Sequence, residues 1–227
     1  MSANIPRYLI ENHGPDHEAL KTAFAGAFQV CAQTGITSIT LLVPAKGAFP
    51  TTVVGTFLGA NVTKALCKGE TVKITENLSM DLESPKTFSP FKSYGMVIGV
   101  YLSPKDQNVL DSVSSAKAIV LLPWSEDDGK TWLSTWAPTV LGKSTWQVQQ
   151  AAFPQDVEDA LRSLTRRINL STGLSHPLDK KAAQDTLSGI KRRGDRIDPE
   201  DIRKWALRND WRPDDAEDLG KLAARYF

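Results

Sequence analysis

Three charge-poor runs of aliphatic and β-branched residues constrain the fold of this chain more than any other feature. They span residues 36–43, 96–102 and 118–122. A turn containing proline closes each run, and the apolar residues beyond it recur at the three-and-four spacing of an amphipathic helix. Strands that are apolar along their whole length are typical of parallel sheets covered on both faces, and the helices provide the crossover connections.

Weaker patterns extend this alternation of strands and helices. Two more strands are predicted at residues 8–11 and 71–75, and the first helix is predicted at residues 18–34. Residues 77–93 contain Pro85 and Pro90 and show no clear period, so we expect a long loop there. Residues 144–151 are one further candidate strand.

The resulting order, β-α-β-α-β-loop-β-α-β-α, predicts the fold class of the first two-thirds of the chain. Strands that alternate with helices favour a three-layer α/β/α sandwich of Rossmann-like type, with a mostly parallel sheet of about five strands. We expect residues 39–43, 97–102 and 118–122 to form its central strands, because they carry the least charge.

Beyond residue 153 the strand patterns end and the chain becomes dense with charge. Four amphipathic helical patterns follow. The third opens with Asp198 as a cap and Pro199 at the first helical position, where the missing amide of proline costs nothing. We therefore predict an α/β domain at residues 1–151 and an all-α C-terminal module of about four helices at residues 152–227.

Composition excludes several classes of partner. The formal net charge is +1, so bulk charge predicts neither nucleic acid nor an anionic membrane as a partner. No cationic leader precedes an apolar core, and no apolar run approaches the ~18 residues of a membrane span. Cys31 and Cys67 have no metal or redox spacing and are expected to be free thiols. We expect a cytoplasmic protein; the sequence leaves its oligomeric state open.

A candidate site follows from topology. In open parallel sheets ligands bind beyond the carboxyl ends of the strands. Here four loops, at residues 13–17, 44–47, 103–106 and 123–128, should meet at that edge. The ligand-binding candidates that they contain are His13, Asp16, His17, Lys46, Lys105, Trp124, Asp127 and Asp128. The histidines and lysines among them favour an anionic small molecule as the ligand.

Each polar group at this edge also has a structural interpretation, which we favour. His13, Asp16 and His17 could hold a divalent metal ion, or Asp16 could simply cap a helix. Asp127 and Asp128 could act as acid and base, or they could complement a helix dipole. No phosphate-binding glycine loop and no nucleophile elbow is present, so no catalytic residue, metal or cofactor is assigned.

Residues 16–59 resemble the C-terminal α/β domain of pyruvate kinases and their stand-alone relatives. The similar segment is AFQVCAQTGITSITLLVPAKG, which reads as helix, glycine turn, apolar strand and small-residue loop. The resemblance implies a phosphate-facing loop after the strand, although residues 44–47 lack the Ser/Thr-Gly pair of that family.

Residues 198–227 are similar to the small two-helix C-terminal domain of actinobacterial nucleoid-associated proteins. The shared pattern is I-R-x-W-A, an aromatic turn, and a helix ending in Ala-Arg-Tyr. The resemblance implies two packed helices. The Arg-Gly-Arg loop that binds DNA in that family is replaced here by an acidic segment at residues 211–215, so we do not expect DNA binding.

These features lead to one functional hypothesis and two alternatives. We expect a non-catalytic, small-ligand-binding or regulatory α/β protein, because no nucleophile, metal cluster or phosphate loop is recognisable. One alternative is an enzyme that uses the carboxylates at the sheet edge. The other is a DNA-associated protein that acts through the C-terminal helices.

Overall fold

The computed structural model describes residues 5–142, 145–147, 150 and 152–227. The chain divides into two compact units, within residues 4–148 and within residues 149–227. The first is a mixed α/β unit and the second is entirely helical in its described part. No described helix is both long and apolar enough to cross a membrane.

The described part of the α/β unit contains a sheet of seven strands, which are β1 (Arg7–Ile10), β2 (Ser38–Leu42), β3 (Val72–Thr75), β4 (Leu78–Glu83), β5 (Tyr94–Val100), β6 (Ala116–Leu122) and β7 (Thr139–Leu141). Their order in the sheet is β3-β4-β2-β5-β6-β1-β7. All neighbouring strands pair in parallel except β3 and β4, which form an antiparallel edge hairpin. The predicted mostly parallel sheet, with β2, β5 and β6 at its centre, is thus confirmed.

The predicted number of five strands is wrong, and the predicted long loop at residues 77–93 accounts for part of the difference. Its first residues form β4, in which Leu78, Met80 and Leu82 are buried while the residues between them are only half-buried. This is the alternation of a strand with one buried face. The extended backbone is held by five parallel pairings with β2.

The seventh strand lies earlier than the candidate strand at residues 144–151. Strand β7 has three residues and pairs with β1. Residues 145–147 are not in a strand, and residues 144, 148, 149 and 151 lie outside the described residues.

Helices cover both faces of the sheet. The helices of this unit are α1 (His17–Thr34), α2 (Val53–Leu58), α3 (Ala60–Cys67), α4 (Pro104–Asp111) and α5 (Glu126–Trp136). Helices α1, α2 and α3 pack with residues such as Leu41 and Ile98 in one core, whereas α4 and α5 pack with Val97 and Ile119 in the other. Alternate strand residues point to opposite faces, so each strand contributes to both cores.

The segment after β2 breaks into two helices because of one glycine. Its apolar spacing predicts a single helix, but α2 ends and α3 begins at Gly59, whose φ of 84° and ψ of 154° lie outside any helical region. Only glycine adopts this conformation readily. A short 3₁₀ helix, Phe49–Thr51, precedes α2.

The described part of the helical unit contains four α-helices, as predicted. They are α6 (Gln155–Arg167), α7 (Pro177–Arg192), α8 (Pro199–Arg208) and α9 (Pro213–Ala223). The Asp198 side chain caps α8 by accepting from the Glu200 amide at 2.9 Å. Trp205, Leu219 and Leu222 are buried. Narrow apolar stripes thus supply the core of this unit.

Candidate functional site

The loops that follow β1, β2, β5 and β6 meet at the carboxyl edge of the sheet and surround a cavity of about 310 Å³. We call it the carboxyl-edge cavity. The loop after β1 reaches the loop after β6, since a Cβ built on Gly14 would lie 3.8 Å from the Trp124 carbonyl oxygen. This is the position at which open parallel sheets bind ligands.

The wall of this cavity is almost wholly apolar. It includes Pro15 from the first loop, Val43 directly after β2, Phe49 from the 3₁₀ helix and Val53 from α2. Among the described residues no charged side chain lines it. Van der Waals contact and removal of apolar surface from water are therefore what this wall offers a ligand.

Gly55 holds the 3₁₀ helix against α2 and so fixes one side of the wall. A Cβ added at Gly55 would lie 2.1 Å from the Phe49 carbonyl oxygen, which no side chain could tolerate. The Thr52 hydroxyl caps the same turn by donating to the Phe49 carbonyl at 2.8 Å and accepting from the Gly55 amide at 3.2 Å. The approach of these two segments thus depends on glycine.

Two aromatic side chains form the opposite side of the wall. Tyr101 follows β5 directly and packs edge-on against Trp124, with ring centroids 5.6 Å apart. Trp124 is 52% exposed, whereas Tyr101 is 9% exposed. The Tyr101 backbone has a φ of 54°, and this left-handed conformation costs a non-glycine residue about 1–2 kcal/mol. Burial raises the pKa of the Tyr101 phenol.

All eight predicted site residues lie at this edge of the sheet, but only Trp124 lines the cavity. Two of the carboxylates instead cap helices. Asp16 accepts from the Glu18 amide at 3.0 Å at the start of α1. Asp128 closes a capping box at the start of α5, where it accepts from the Ser125 amide and hydroxyl at 3.2 and 2.6 Å. These contacts match the structural interpretation of both residues.

The remaining candidates lie outside the cavity. Lys46 pairs with Glu83, with 3.0 Å between its ammonium nitrogen and the carboxylate oxygen. The His17 ring packs edge-on against Phe57 at 5.8 Å. His13, Lys105 and Asp127 are exposed. Within the described residues no group of three His, Cys, Asp or Glu side chains is arranged to hold a metal ion.

Sequence reasoning missed most of the residues that form the wall. Pro15, Phe49 and Val53 look like ordinary turn or core residues, and they come from separate parts of the chain. Tyr101 looks like the end of a buried strand. One usable signal was present, since Trp124 follows a strand end and was expected to line a pocket.

A second cavity, of about 540 Å³, lies at the opposite edge of the sheet. Its lining includes Phe28 and Cys31 from α1 and Thr75, Asn77 and Leu78 from the turn between β3 and β4. It has a more polar wall, and it lies at the amino ends of β2 and β4, where ligands of parallel sheets do not ordinarily bind.

The amino edge also contains a buried polar cluster, which we call the Arg7 cluster. The Asp111 carboxylate accepts from the indole nitrogens of Trp132 and Trp136 at 3.0 and 2.8 Å. The Arg7 guanidinium stacks on the Trp136 ring, 3.6 Å from its centroid. Burial lowers the pKa of Arg7 to about 10, and the charge of Asp111 opposes this shift. The cluster joins β1, α4 and α5, so we assign it a structural role.

Comparison with known proteins adds one finding. Residues 154–226 match a family described as a domain of unknown function, DUF1889. The matched range contains the four helices of the helical unit and none of the α/β unit. No curated protein and no solved structure matches the chain.

Proposed function

We propose that the α/β unit binds a small, neutral, largely apolar molecule in the carboxyl-edge cavity and acts as a non-catalytic ligand-binding or regulatory protein. The observation that carries this proposal is the cavity itself, which is apolar and lies where the strand topology places ligands. The mostly parallel sheet with helices on both faces supports the same conclusion, because sheets of this kind bind ligands at their carboxyl edge.

The size of the cavity bounds the ligand. An apolar cavity of about 150 Å³ holds benzene in another protein. The cavity of about 310 Å³ therefore has room for on the order of ten to fifteen non-hydrogen atoms. A substituted aromatic ring or a short branched aliphatic molecule has this size.

The chemistry of the wall argues for a neutral ligand rather than the anionic one expected from the sequence. Burying an ionised group is costly unless an opposite charge pairs with it, and no charged group among the described residues lines the cavity. Lys46 is already paired with Glu83. An anion at this edge would have to stay outside the cavity, near the exposed His13 or Lys105.

The same lining favours binding over catalysis by the carboxylates at the edge. No carboxylate, imidazole, amine or thiol of the described residues lines the cavity, so a bound molecule would meet neither of the commonest catalytic acids and bases, a carboxylate or an imidazole. The Thr52 hydroxyl in the wall is hydrogen-bonded within its own turn. Asp128 is occupied in its capping box. Asp127 is exposed to water, and a catalytic acid or base is usually tuned by burial.

Calorimetric titration with p-xylene, a neutral apolar probe, tests the proposal. We expect saturable binding by the full chain, with affinity lost in Ala48→Phe, because Ala48 lines the cavity and a phenyl group would fill it. The matched control is Ala25→Phe, which adds the same group at an exposed position of α1. Binding that survives Ala48→Phe unchanged would place the ligand elsewhere and refute the proposal.

A further inference from the structure

Trp124 is the largest side chain in the wall of the carboxyl-edge cavity, and it is only half-buried. With 52% of it exposed, much of its apolar surface remains in contact with water. The large apolar side chains that are exposed in the described part of the chain are Phe91, Trp124, Leu178 and Phe227, and of these only Trp124 lines this cavity. A ligand that covers the indole removes apolar surface from water, which is favourable.

The main chain on both sides of Trp124 is held in place. The Ser125 amide and hydroxyl donate to the Asp128 carboxylate at 3.2 and 2.6 Å, which fixes the backbone directly after the tryptophan. Pro123 precedes it, and the proline ring restricts the backbone there. The indole also packs against the buried Tyr101 ring. The ring is therefore presented to the cavity in a defined position, which lowers the ordering cost of binding.

The orientation of these two aromatic rings favours contact with a third ring. The planes of Trp124 and Tyr101 are 84° apart, with centroids separated by 5.6 Å. A planar ring that lies parallel to one of them is therefore nearly perpendicular to the other, so it makes one offset-stacked and one edge-to-face contact. Both arrangements are preferred by aromatic pairs, and each stabilises a complex beyond the burial of area. Phe49 adds a third aromatic residue to the same wall.

We propose that Trp124 makes the carboxyl-edge cavity selective for a planar aromatic ligand over a saturated molecule of the same outline, by stacking on the ligand ring. This inference rests on the proposed function and decides between the two ligand classes that fit the cavity volume, the substituted aromatic ring and the branched aliphatic molecule. A saturated ligand buries a similar area but has no aromatic quadrupole, so it gains nothing from stacking.

The test compares benzyl alcohol with cyclohexylmethanol, two neutral, water-soluble molecules that differ in having an aromatic or a saturated ring. Both are titrated calorimetrically into the full chain and into Trp124→Leu, which keeps an apolar side chain and removes the indole. We expect the variant to lose roughly two- to tenfold more affinity for benzyl alcohol than for cyclohexylmethanol, the value of one aromatic pair. The different hydrophobicity of the two probes cancels when the variant is compared with the wild type.

Two further variants separate the stacking contact from a general loss of apolar surface. Trp124→Phe keeps a ring at this position and should retain most of the selectivity for benzyl alcohol. The matched control Phe91→Leu removes a ring that is 84% exposed and does not line the cavity, so it should change neither affinity. A loss in Trp124→Leu that is equal for both probes, or larger for cyclohexylmethanol, would overturn the inference while leaving cavity binding intact. If the wild-type protein binds neither probe, the proposed function itself fails, and the role of Trp124 fails with it.

Discussion

Replacing Asp111 with alanine should destabilise the α/β unit strongly, since this buried carboxylate is the shared acceptor of two indoles, the buried Trp132 and the half-buried Trp136. The Trp132 and Trp136 nitrogens donate to it at 3.0 and 2.8 Å. Its charge also counteracts the burial of the Arg7 guanidinium. Hydrogen bonds to a charged acceptor contribute about 1.5–3 kcal/mol each, and breaking a buried charge pair costs about 3–5 kcal/mol. These terms overlap, so we expect a total loss of about 3–5 kcal/mol.

Urea unfolding followed by tryptophan fluorescence measures this loss. With an m value of about 2 kcal/mol/M, the midpoint of the α/β transition should fall by about 2 M. Asp111→Asn, which keeps an acceptor oxygen but removes the charge, should fall between the wild type and Asp111→Ala. The control Asp127→Ala removes an exposed carboxylate and should change stability by less than about 0.5 kcal/mol. A loss below about 1 kcal/mol for Asp111→Ala would refute the assigned structural role.

Three further predictions concern other parts of the chain. Lys46→Ala breaks the ion pair with Glu83 but should leave the calorimetric affinity for p-xylene unchanged, because Lys46 does not line the cavity; a tenfold loss would contradict this. Gly173→Ala should destabilise the helical unit by about 2 kcal/mol or more in thermal unfolding. The reason is that φ of Gly173 is 54° and the new Cβ would lie 1.8 Å from the Asp215 carboxylate. The control Gly189→Ala adds a Cβ in open space on α7 and should instead stabilise the helical unit by about 0.5–1 kcal/mol. Burial raises the pKa of Asp215, so its contribution to stability is greatest when it is protonated and is lost as pH rises through the raised pKa. Asp215→Asn should therefore stabilise the helical unit at neutral pH by less than about 1 kcal/mol and should give no gain near pH 3. A gain in stability that grows as pH falls would contradict this sign.

The central sheet could be predicted from the sequence because burial on both faces leaves a strong local signature. Strands β2, β5 and β6 contain almost no charge, and their short length, β-branched content and flanking proline turns favour buried strands over buried helices. Strand β4 carries charge on its solvent side and is followed by Pro85 and Pro90, which conceal its alternation. Strand β7 has three residues and exists through pairing with β1, a long-range contact that no local pattern encodes.

The location of the candidate site was easier to predict than its chemistry. In open parallel sheets ligands bind at the carboxyl edge whatever the sequence of the loops there. The polar residues there attracted attention, yet Asp16 and Asp128 serve the local need to cap helices. The apolar wall is assembled from residues distant in sequence, such as Pro15 and Phe49. The left-handed conformation of Tyr101 leaves no trace in the sequence, because glycine is the residue normally read as its signal.

Mapping the binding of p-xylene by two-dimensional NMR tests the central claim most directly. We expect amide shifts that are confined to the carboxyl edge, around residues 43–54, Tyr101 and Trp124. Ala48→Phe should abolish these shifts, and Ala25→Phe should preserve them. Shifts centred instead on Phe28, Asn77 and Leu78 would place the ligand in the amino-edge cavity and contradict the proposed site.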